Sequence, residues 1–535
     1  FQAEDGIRDS VASRGLGDVY KRQAYKQWSQ AGWNSSPFDA DHGGQGLPWT
    51  LTTALWEMWD SANMAFSLCP LLTQAAIDAL ERHASNAQKE TYLEKLVSGE
   101  WTGTMNLTEP QSGTDLGTIR TSSIKEGDQY RIRGQKIYIT WGDHDMTENI
   151  IHLVLARSPD GPPGSRGLSL FIVPKFLINA DGSLGQRNDV RPVSIEHKIG
   201  IHASPTCVMS YGENDGAIGY LIGEENRGIE YMFVMMNNAR LAVGLQGLAI
   251  AERAYQQAVN FAKERVKGKP IQGSLDNSTI IEHPDVRRML LGMKSQIEAM
   301  RGLCYEVAAD LDRANKIEDK DEREKAQAML ELMIPVVKAW CTDTGLAITS
   351  TNIQVHGGMG FMEETGAGQH YRDARITTIY EGTNGVQAID LLGRKLRQQN
   401  GILLMQWLDE TNKRIETAKA TGAFEEEVTA IEKARDSMGA CAMHLGQLGM
   451  TGNLRAALLQ ATPFLQVLGH VVLAVHSLEQ AVVAHQKLQA TDLSDSDIAF
   501  YKGKLLNLSY YVNNTLPKAI ALSKVIRSGD ESALN

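Results

Sequence analysis

The sequence predicts a mainly α protein with a small central β-barrel or β-sandwich domain and an additional helical domain at its C-terminal end. Long stretches before Glu100 and after Gly223 carry apolar residues at helical spacing. The segment between them switches to short alternating or continuous apolar runs. No β-α-β alternation is visible from Trp101 to Ile222, which argues against a Rossmann unit there. At 535 residues the chain can hold roughly two to four domains around a large core.

In chain order, residues 1–23 show neither sustained apolar periodicity nor the apolar stretch of a signal peptide. The string from Gln2 to Gln23 resembles translated sequencing-adaptor read-through, so it is read as a non-native leader, with the gene's own beginning upstream of Ala24. Residues 24–104 form a partial N-terminal helical domain, with helical spacing over Leu51–Met64 and Leu71–Leu96. The glycine run between Asp41 and Pro48 follows no strand and lacks GxGxxG, so a turn is expected there and not a phosphate cradle. Residues 105–222 are the β domain. Tyr130–Thr140 alternates at period two around a glycine turn, and Ile150–Ala156, Leu168–Val173 and Thr206–Tyr211 supply further strands.

Residues 223–400 are helical again, with a long run over Ile229–Arg265 and a second helix opening at His283-Pro284, where proline suits an early position. Glu318–Glu331 reads as a charged connector into a third helix through Leu346, and Gln354–Phe361 as a glycine-rich break. Past a boundary at Lys395–Gly401, residues 401–535 are expected to hold four or five helices, with loops at Gly452-Asn453 and Ser494–Asp497.

Composition narrows the function. A net charge of −11 argues against an extended nucleic-acid face and demands no anionic membrane. Five scattered cysteines without CxxC spacing fit a reducing compartment, and neither a disulfide framework nor a zinc site. Residues 456–478 carry no Asp, Glu, Lys or Arg, but Pro463, Gln466, Gly469, His470 and His476 interrupt the run. A buried bundle helix is expected there and no transmembrane segment.

The stretch with the most chemical content is Ile379-Tyr380-Glu381-Gly382-Thr383-Asn384-Gly385, shortly after Arg372-Asp373-Ala374-Arg375. Thr383 or Asn384 is placed to cap a helix through Leu392. Glu381 has two readings. One is a solvated acid in a first turn, favoured by the helix dipole; the other is a general base in a dry pocket, its pKa raised by desolvation.

The order of helices, β domain, and helices bearing a Tyr-Glu-Gly-Thr loop resembles the acyl-CoA dehydrogenase flavoproteins from about Ala24 to Arg397. Three motifs carry the resemblance: Leu107-Thr108-Glu109-Pro110-Gln111-Ser112-Gly113-Thr114-Asp115, Gly134-Gln135-Lys136-Ile137-Tyr138-Ile139-Thr140, and Arg372-Asp373-Ala374-Arg375 leading to Tyr380-Glu381-Gly382-Thr383. Gly99–Met105, Ile195–Ile201 and Tyr380–Leu392 are similar to a larger subgroup with an extra C-terminal helical domain. That subgroup includes 3-methylmercaptopropionyl-CoA and broad-range fatty acyl-CoA dehydrogenases, and residues 401–535 would be the extra domain.

The resemblance implies FAD-dependent α,β-dehydrogenation of an acyl-CoA to the trans-2-enoyl-CoA, with Glu381 taking the α proton. It implies an electron-transfer flavoprotein as acceptor, a homodimer or homotetramer, and a bacterial cytoplasmic setting. Carried over by position, Met105, Leu107, Thr108, Tyr138 and Thr140 would contact the flavin. Arg265 would reach the FAD pyrophosphate of a neighbouring subunit, Gln354, Gly357 and Gly358 would admit the adenine end, and Thr383 would make a further FAD contact. Thr114, Arg240 and Gly382 would meet the acyl-CoA, although a surface ion pair is the other reading of Arg240. The sequence departs from the family at Met105, Tyr138 and Gly385, and in an insertion over Gly268–Thr279.

Other functions on this scaffold are an acyl-CoA oxidase, a catalytically silent acyl-CoA binder, or a DNA-associated flavoprotein. The last would want a basic C-terminal domain, yet residues 401–535 hold 12 Lys and Arg against 14 Asp and Glu.

Overall fold

The computed structural model describes residues 11–269 and 277–534. The chain divides into two compact units, one of residues up to Thr52 with Ala62–Ala239, the other of Thr53–Ser61 with Arg240 onward.

In the first unit, α1 (Val11–Gln30) precedes α2 (Trp49–His83) and α3 (Asn86–Ser98). Residues 11–23, which lack apolar periodicity, are thus part of a helix; residues 1–10 of the expected leader lie outside the described residues. Helix α2 is broken at Asn63 (φ −159°, ψ 91°). There the Asn63 carboxamide oxygen accepts from the Phe66 N–H at 3.0 Å and caps the second half afresh. The break also falls where the chain passes between the two units. Ser85 opens α3 with a capping box completed by Gln88.

Ten strands follow: β1 (Trp101–Asn106), β2 (Ser122–Glu126), β3 (Gln129–Thr140), β4 (Asn149–Arg157), β5 (Leu168–Pro174), β6 (Phe176–Ile178), β7 (Leu184–Arg187), β8 (Val190–Ile195), β9 (Thr206–Tyr211) and β10 (Ala217–Leu221). Strands β6 and β7 form a separate hairpin. The rest make an eight-stranded sheet in the order β1-β4-β5-β10-β3-β9-β8, and β2 pairs with both β3 and β4. Following β4-β5-β10-β3-β2 returns to β4, so the sheet closes on itself as a small barrel. Val154, Phe171 and Val173 pack inward with Tyr130 and Ile132, while Ile151, Leu153 and Leu155 pack with Leu93 and Leu96 of α3. Both faces of β4 are covered, which is why it reads as a continuous apolar run. Tyr130–Thr140 is a single strand, and the glycine turn expected within it is not there. Gly134 lies mid-strand against Thr121, whose α carbon would sit 2.8 Å from a β carbon at that position.

The second unit is helical. Helix α4 (Gly228–Glu264) enters it at Arg240, followed by α5 (Pro284–Lys316), α6 (Lys320–His356), α7 (Ala367–Arg375) and α8 (Asn384–Gly393). The charged stretch expected as a connector is the start of α6, capped by the Asp319 side chain. Its Lys, Glu, Arg, Gln and Ala residues form helix well without an apolar stripe. Beyond Gly401 come six α-helices, not four or five: α9 (Ile402–Lys419), α10 (Glu425–Met450), α11 (Leu454–Leu459), α12 (Ala461–Lys487), α13 (Asp495–Tyr510) and α14 (Pro517–Arg527). Ser494–Asp497 is the capping box of α13 and not a loop. By length and composition α12 could cross a membrane, but 83% of its most apolar window is buried against neighbouring helices. Gly469 lets it press on the Trp340 ring of α6.

Candidate active site

Helices α4 and α6 meet at glycine. A β carbon on Gly247 would lie 2.5 Å from the Cys341 carbonyl oxygen, and one on Gly345 2.4 Å from that of Gly247. This close approach sets Arg240 and Gln246 of α4 beside the middle of α6, which carries Lys338, Thr342 and Asp343. The chain after α7 makes a short 3-10 turn at Ile376–Thr378, then reverses at Tyr380-Glu381-Gly382.

Glu381 has φ +56° and Gly382 φ +83°. Left-handed backbone at a non-glycine costs about 1–2 kcal/mol and needs outside support. That support is visible. The Gln387 amide nitrogen donates to the carbonyls of Glu381 (3.2 Å) and Gly382 (3.3 Å). The Thr383 hydroxyl caps α8 by accepting from the Val386 N–H at 3.3 Å, and the Tyr380 hydroxyl donates to Gln246 Oε1. Asn384, the first residue of α8, is anchored on α6. Its amide nitrogen donates to Asp343 Oδ1 (2.7 Å), Thr342 Oγ1 (3.0 Å) and the Ala339 carbonyl (3.2 Å), while its Oδ1 accepts from Lys338 Nζ at 2.8 Å.

The Glu381 side chain keeps a small accessible surface, yet protein crowds it closely enough that burial governs its ionisation. Burial pushes its pKa up to about 7, against the opposing pull of Arg240 and then Lys338. Lys338 is 0% exposed, and burial brings it down to about 7, with Glu381 the largest charge acting the other way. Arg240 is buried at 6% exposure and pairs with Asp390 at 4.0 Å; it is not the helix-surface ion pair of the alternative reading. The solvated first-turn reading of Glu381 also fails, since Glu381 precedes the cap of α8 and desolvation dominates its charge.

A second cluster belongs to the first unit. The strand β1 and the loop after it carry Met105, Leu107 and Thr108. The Thr108 carbonyl accepts from the Ile137 N–H of β3 at 2.9 Å. Lys136 Nζ donates to the Leu107 carbonyl at 2.9 Å and to Glu109 Oε1 at 2.8 Å, and both residues are buried. A register shift between Lys136 and Ile139 turns β3 over, so Tyr138 takes φ +59° and projects with 60% of its surface exposed, beside the half-buried Thr140.

Residues 226–396 match the acyl-CoA dehydrogenase C-terminal domain, 104–212 the middle domain and 3–100 the N-terminal domain; 407–535 match an acetyl-CoA dehydrogenase C-terminal-like domain. The chain belongs to the acyl-CoA dehydrogenase family. It is 44% identical over 520 residues to the 3-methylmercaptopropionyl-CoA dehydrogenase of Ruegeria pomeroyi, spanning 96% of this chain and 87% of that one. It is 37% identical over 526 residues to a butyryl-CoA dehydrogenase of Syntrophomonas wolfei, spanning 97% and 86%. Its fold matches the crystal structure of an acyl-CoA dehydrogenase complexed with FAD from Bacillus anthracis, with a TM-score of 0.78 over 100% of this chain and 88% of that one at 19% identity. Members of the acyl-CoA dehydrogenase family are FAD-dependent oxidoreductases acting on acyl-CoA thioesters.

Within this acyl-CoA dehydrogenase, Glu381, Gly382, Thr383 and Arg240 gather at one place. Met105, Leu107, Thr108, Tyr138 and Thr140 gather at another, and Thr114 is exposed in the loop between β1 and β2. Gln354, Gly357 and Gly358 are exposed at the end of α6, about 24 Å along its axis from Lys338. Arg265 is exposed just past the end of α4, about 37 Å along from Arg240. Of the insertion after it, residues 270–276 lie outside the described residues. Sequence reasoning passed over Lys338, Gln387 and Gln246, read Asn384 only as a possible helix cap, and quoted Lys136 and Glu109 only as motif letters. One signal was available: a lone lysine in Ile334-Pro335-Val336-Val337-Lys338-Ala339-Trp340 puts a charge where the helix is apolar all round.

Proposed function

We propose that the protein oxidises an acyl-CoA thioester across its α and β carbons, giving the trans-2-enoyl-CoA, with Glu381 as the base. The observation that carries this is a crowded carboxylate titrating at about 7, on a strained loop tied down from four sides. Near neutral pH such a group is partly ionised and basic enough to take a weakly acidic α proton. As it does, the electron pair of the α C–H bond becomes the new π bond and the β hydrogen leaves as hydride. FAD supplies the acceptor for that hydride when bound. The Glu381 backbone N–H would donate to the thioester oxygen as charge builds on it.

The first unit's cluster suits a flavin ring: Tyr138 offers an exposed aromatic face, and the hydroxyls of Thr108 and Thr140, with the flanks of Met105 and Leu107, give a mixed polar and apolar border. Thr383 would contribute a further FAD contact, and Gln354, Gly357 and Gly358 room for the adenine end, since a β carbon at either glycine would meet nothing within 4 Å. The distance of Arg265 from Arg240 along α4 favours a contact with FAD of a neighbouring subunit in a homodimer or homotetramer. Thr114, Arg240 and Gly382 would serve the acyl-CoA. Domain limits of 24–104, 105–222, 223–400 and 401–535, a non-native 1–23, a cytoplasmic setting and an electron-transfer flavoprotein as acceptor belong to the same reading.

The substrate class favoured is a short acyl thioester, because the two relatives above are named for 3-methylmercaptopropionyl-CoA and butyryl-CoA. The test is anaerobic flavin bleaching by methylmercaptopropionyl-, butyryl-, octanoyl- and palmitoyl-CoA, run beside Glu381→Gln. Bleaching by the short thioesters, absent in the variant, is expected. Undiminished bleaching of Glu381→Gln would remove Glu381 as the base, and peroxide formed in step with turnover would make the protein an oxidase.

A further inference from the structure

We propose that Lys338 is a positioning residue for the base: it ties the catalytic loop to α6 through Asn384, and its buried ammonium holds the Glu381 carboxylate in the ionised form that accepts the proton. The inference rests on the reading of Glu381 as base.

An ammonium carries three N–H donors. Among the described residues, Lys338 gives one to Asn384 Oδ1 at 2.8 Å and has no second hydrogen-bond acceptor, although it is completely buried. Its neighbours on α6 give it no ion pair either: Asp343 spends its contact on the Asn384 amide nitrogen, not on the ammonium. Nor does Arg240 compete for Glu381 alone, because Asp390 of α8 lies 4.0 Å from its guanidinium and Asp390 also holds Arg394. Among the described residues, the charged groups around this loop are Arg240 from α4, Lys338 and Asp343 from α6, Asp390 from α8 with Arg394 just past its end, Arg375 from α7 behind Asp343, and Asp60 and Asp373, which act on Tyr380 beside Glu381. Of these cations, Lys338 is the one with Glu381 as its largest opposing charge, whereas Arg240 answers first to Asp390.

A lysine serving only to fill the core would be replaceable by methionine with no change in the ionisation of Glu381. A cation that favours the carboxylate lowers its pKa, so removing the cation raises it. The test is the rate of anaerobic flavin reduction by methylmercaptopropionyl-CoA or butyryl-CoA as a function of pH, for wild type, Lys338→Met and Lys338→Arg. In Lys338→Met the acid limb should move up by about one pH unit, lowering the rate about fivefold at pH 7 and leaving it near wild type at high pH. Lys338→Arg should restore most of the wild-type profile. The ionisation of Glu381 is read without turnover from the infrared carboxyl difference between wild type and Glu381→Gln, repeated in the Lys338→Met background, and should move with the rate.

If Lys338→Met gives no folded holoprotein, Lys338→Gln removes the charge but keeps a donor for Asn384 and is read the same way. An unshifted profile in a folded, flavin-loaded variant overturns the proposal, as does a loss equal at every pH. Bleaching that survives Glu381→Gln fails the base assignment instead, so the two failures are distinguishable.

Discussion

Among the described residues two lysines are completely buried, one in each unit, each with a glutamate for company, and their outcomes are opposite. Lys136 touches Glu109 directly at 2.8 Å, and Glu109 also accepts from the Thr121 hydroxyl (2.6 Å), the N–H groups of Arg120 and Thr121, and Gln111. Burial alone would raise that carboxyl, but Lys136 and these donors overwhelm it and hold it at about 2. Desolvation raises Glu381 as well, but Lys338 reaches its loop only through the Asn384 amide, and the carboxyl is pushed up to about 7. Direct hydrogen bonding of the charged form decides between a clamp that never releases its charge and a base that can take a proton. One pair ties the barrel; in the proposed reaction the other serves the chemistry.

The largest effect that would break this contrast lies at Glu381, the proposed base. Glu381→Gln should lower the rate of flavin reduction by about 10²–10⁴-fold while flavin content stays at the wild-type level, read by stopped flow and by the visible spectrum. Lys136→Met comes next. It leaves Glu109 buried without its counter-charge, at a cost of roughly 3–5 kcal/mol, and frees the Leu107–Thr108 loop from β3. Urea unfolding should show the loss, accompanied by release of FAD. A Lys136→Met protein with unchanged stability would mean that the pair is not a clamp.

Much of this was legible locally. The proline opening α5, the threonine capping α8 and the apolar spacing of α4 are short-range signals, and the structure contains all three. The barrel was readable as a class, but its closure through β2 was not, because Ser122 meets Arg157 across 34 residues of intervening chain. Gly134 misled because glycine marks both a turn and a close strand crossing. The start of α6 misled because charged helix formers on a solvated helix leave no apolar stripe. The Glu381 loop was legible because its neighbours in sequence are its neighbours in space. Lys338 was not, since it meets Asn384 only after the rest of α6, α7 and three 3-10 turns have folded back.

The pH dependence of stability sharpens the same contrast. Glu109 has a folded pKa below its ordinary value, so its contribution is present above about pH 4.5 and lost as pH falls toward 2. Glu381 has a folded pKa above its ordinary value, so its ionisation destabilises the fold, increasingly between pH 4.5 and 7 and fully above. Glu381→Gln should therefore be the more stable protein at pH 8, by roughly 2 kcal/mol, with the advantage gone near pH 4.5. Denaturant titrations at the two pH values check this; a variant no more stable than wild type at pH 8 would argue against a desolvated carboxylate.

The smallest effect separates the two units by their helix caps. Ser85 caps α3 and Thr383 caps α8, each accepting an N–H bond at 3.3 Å. Replacing either by alanine removes one cap hydrogen bond and should cost about 1 kcal/mol of stability. Ser85 lies on an exposed turn of the first unit, so Ser85→Ala should leave the rate of flavin reduction where it was. Thr383 is two residues from Glu381, on a backbone already held in left-handed geometry at 381 and 382. Loosening that cap gives the loop another way to relax its strain, so Thr383→Ala should slow flavin reduction as well as lower stability. Equal kinetics in the two variants would show that the cap stabilises α8 without helping to hold the base.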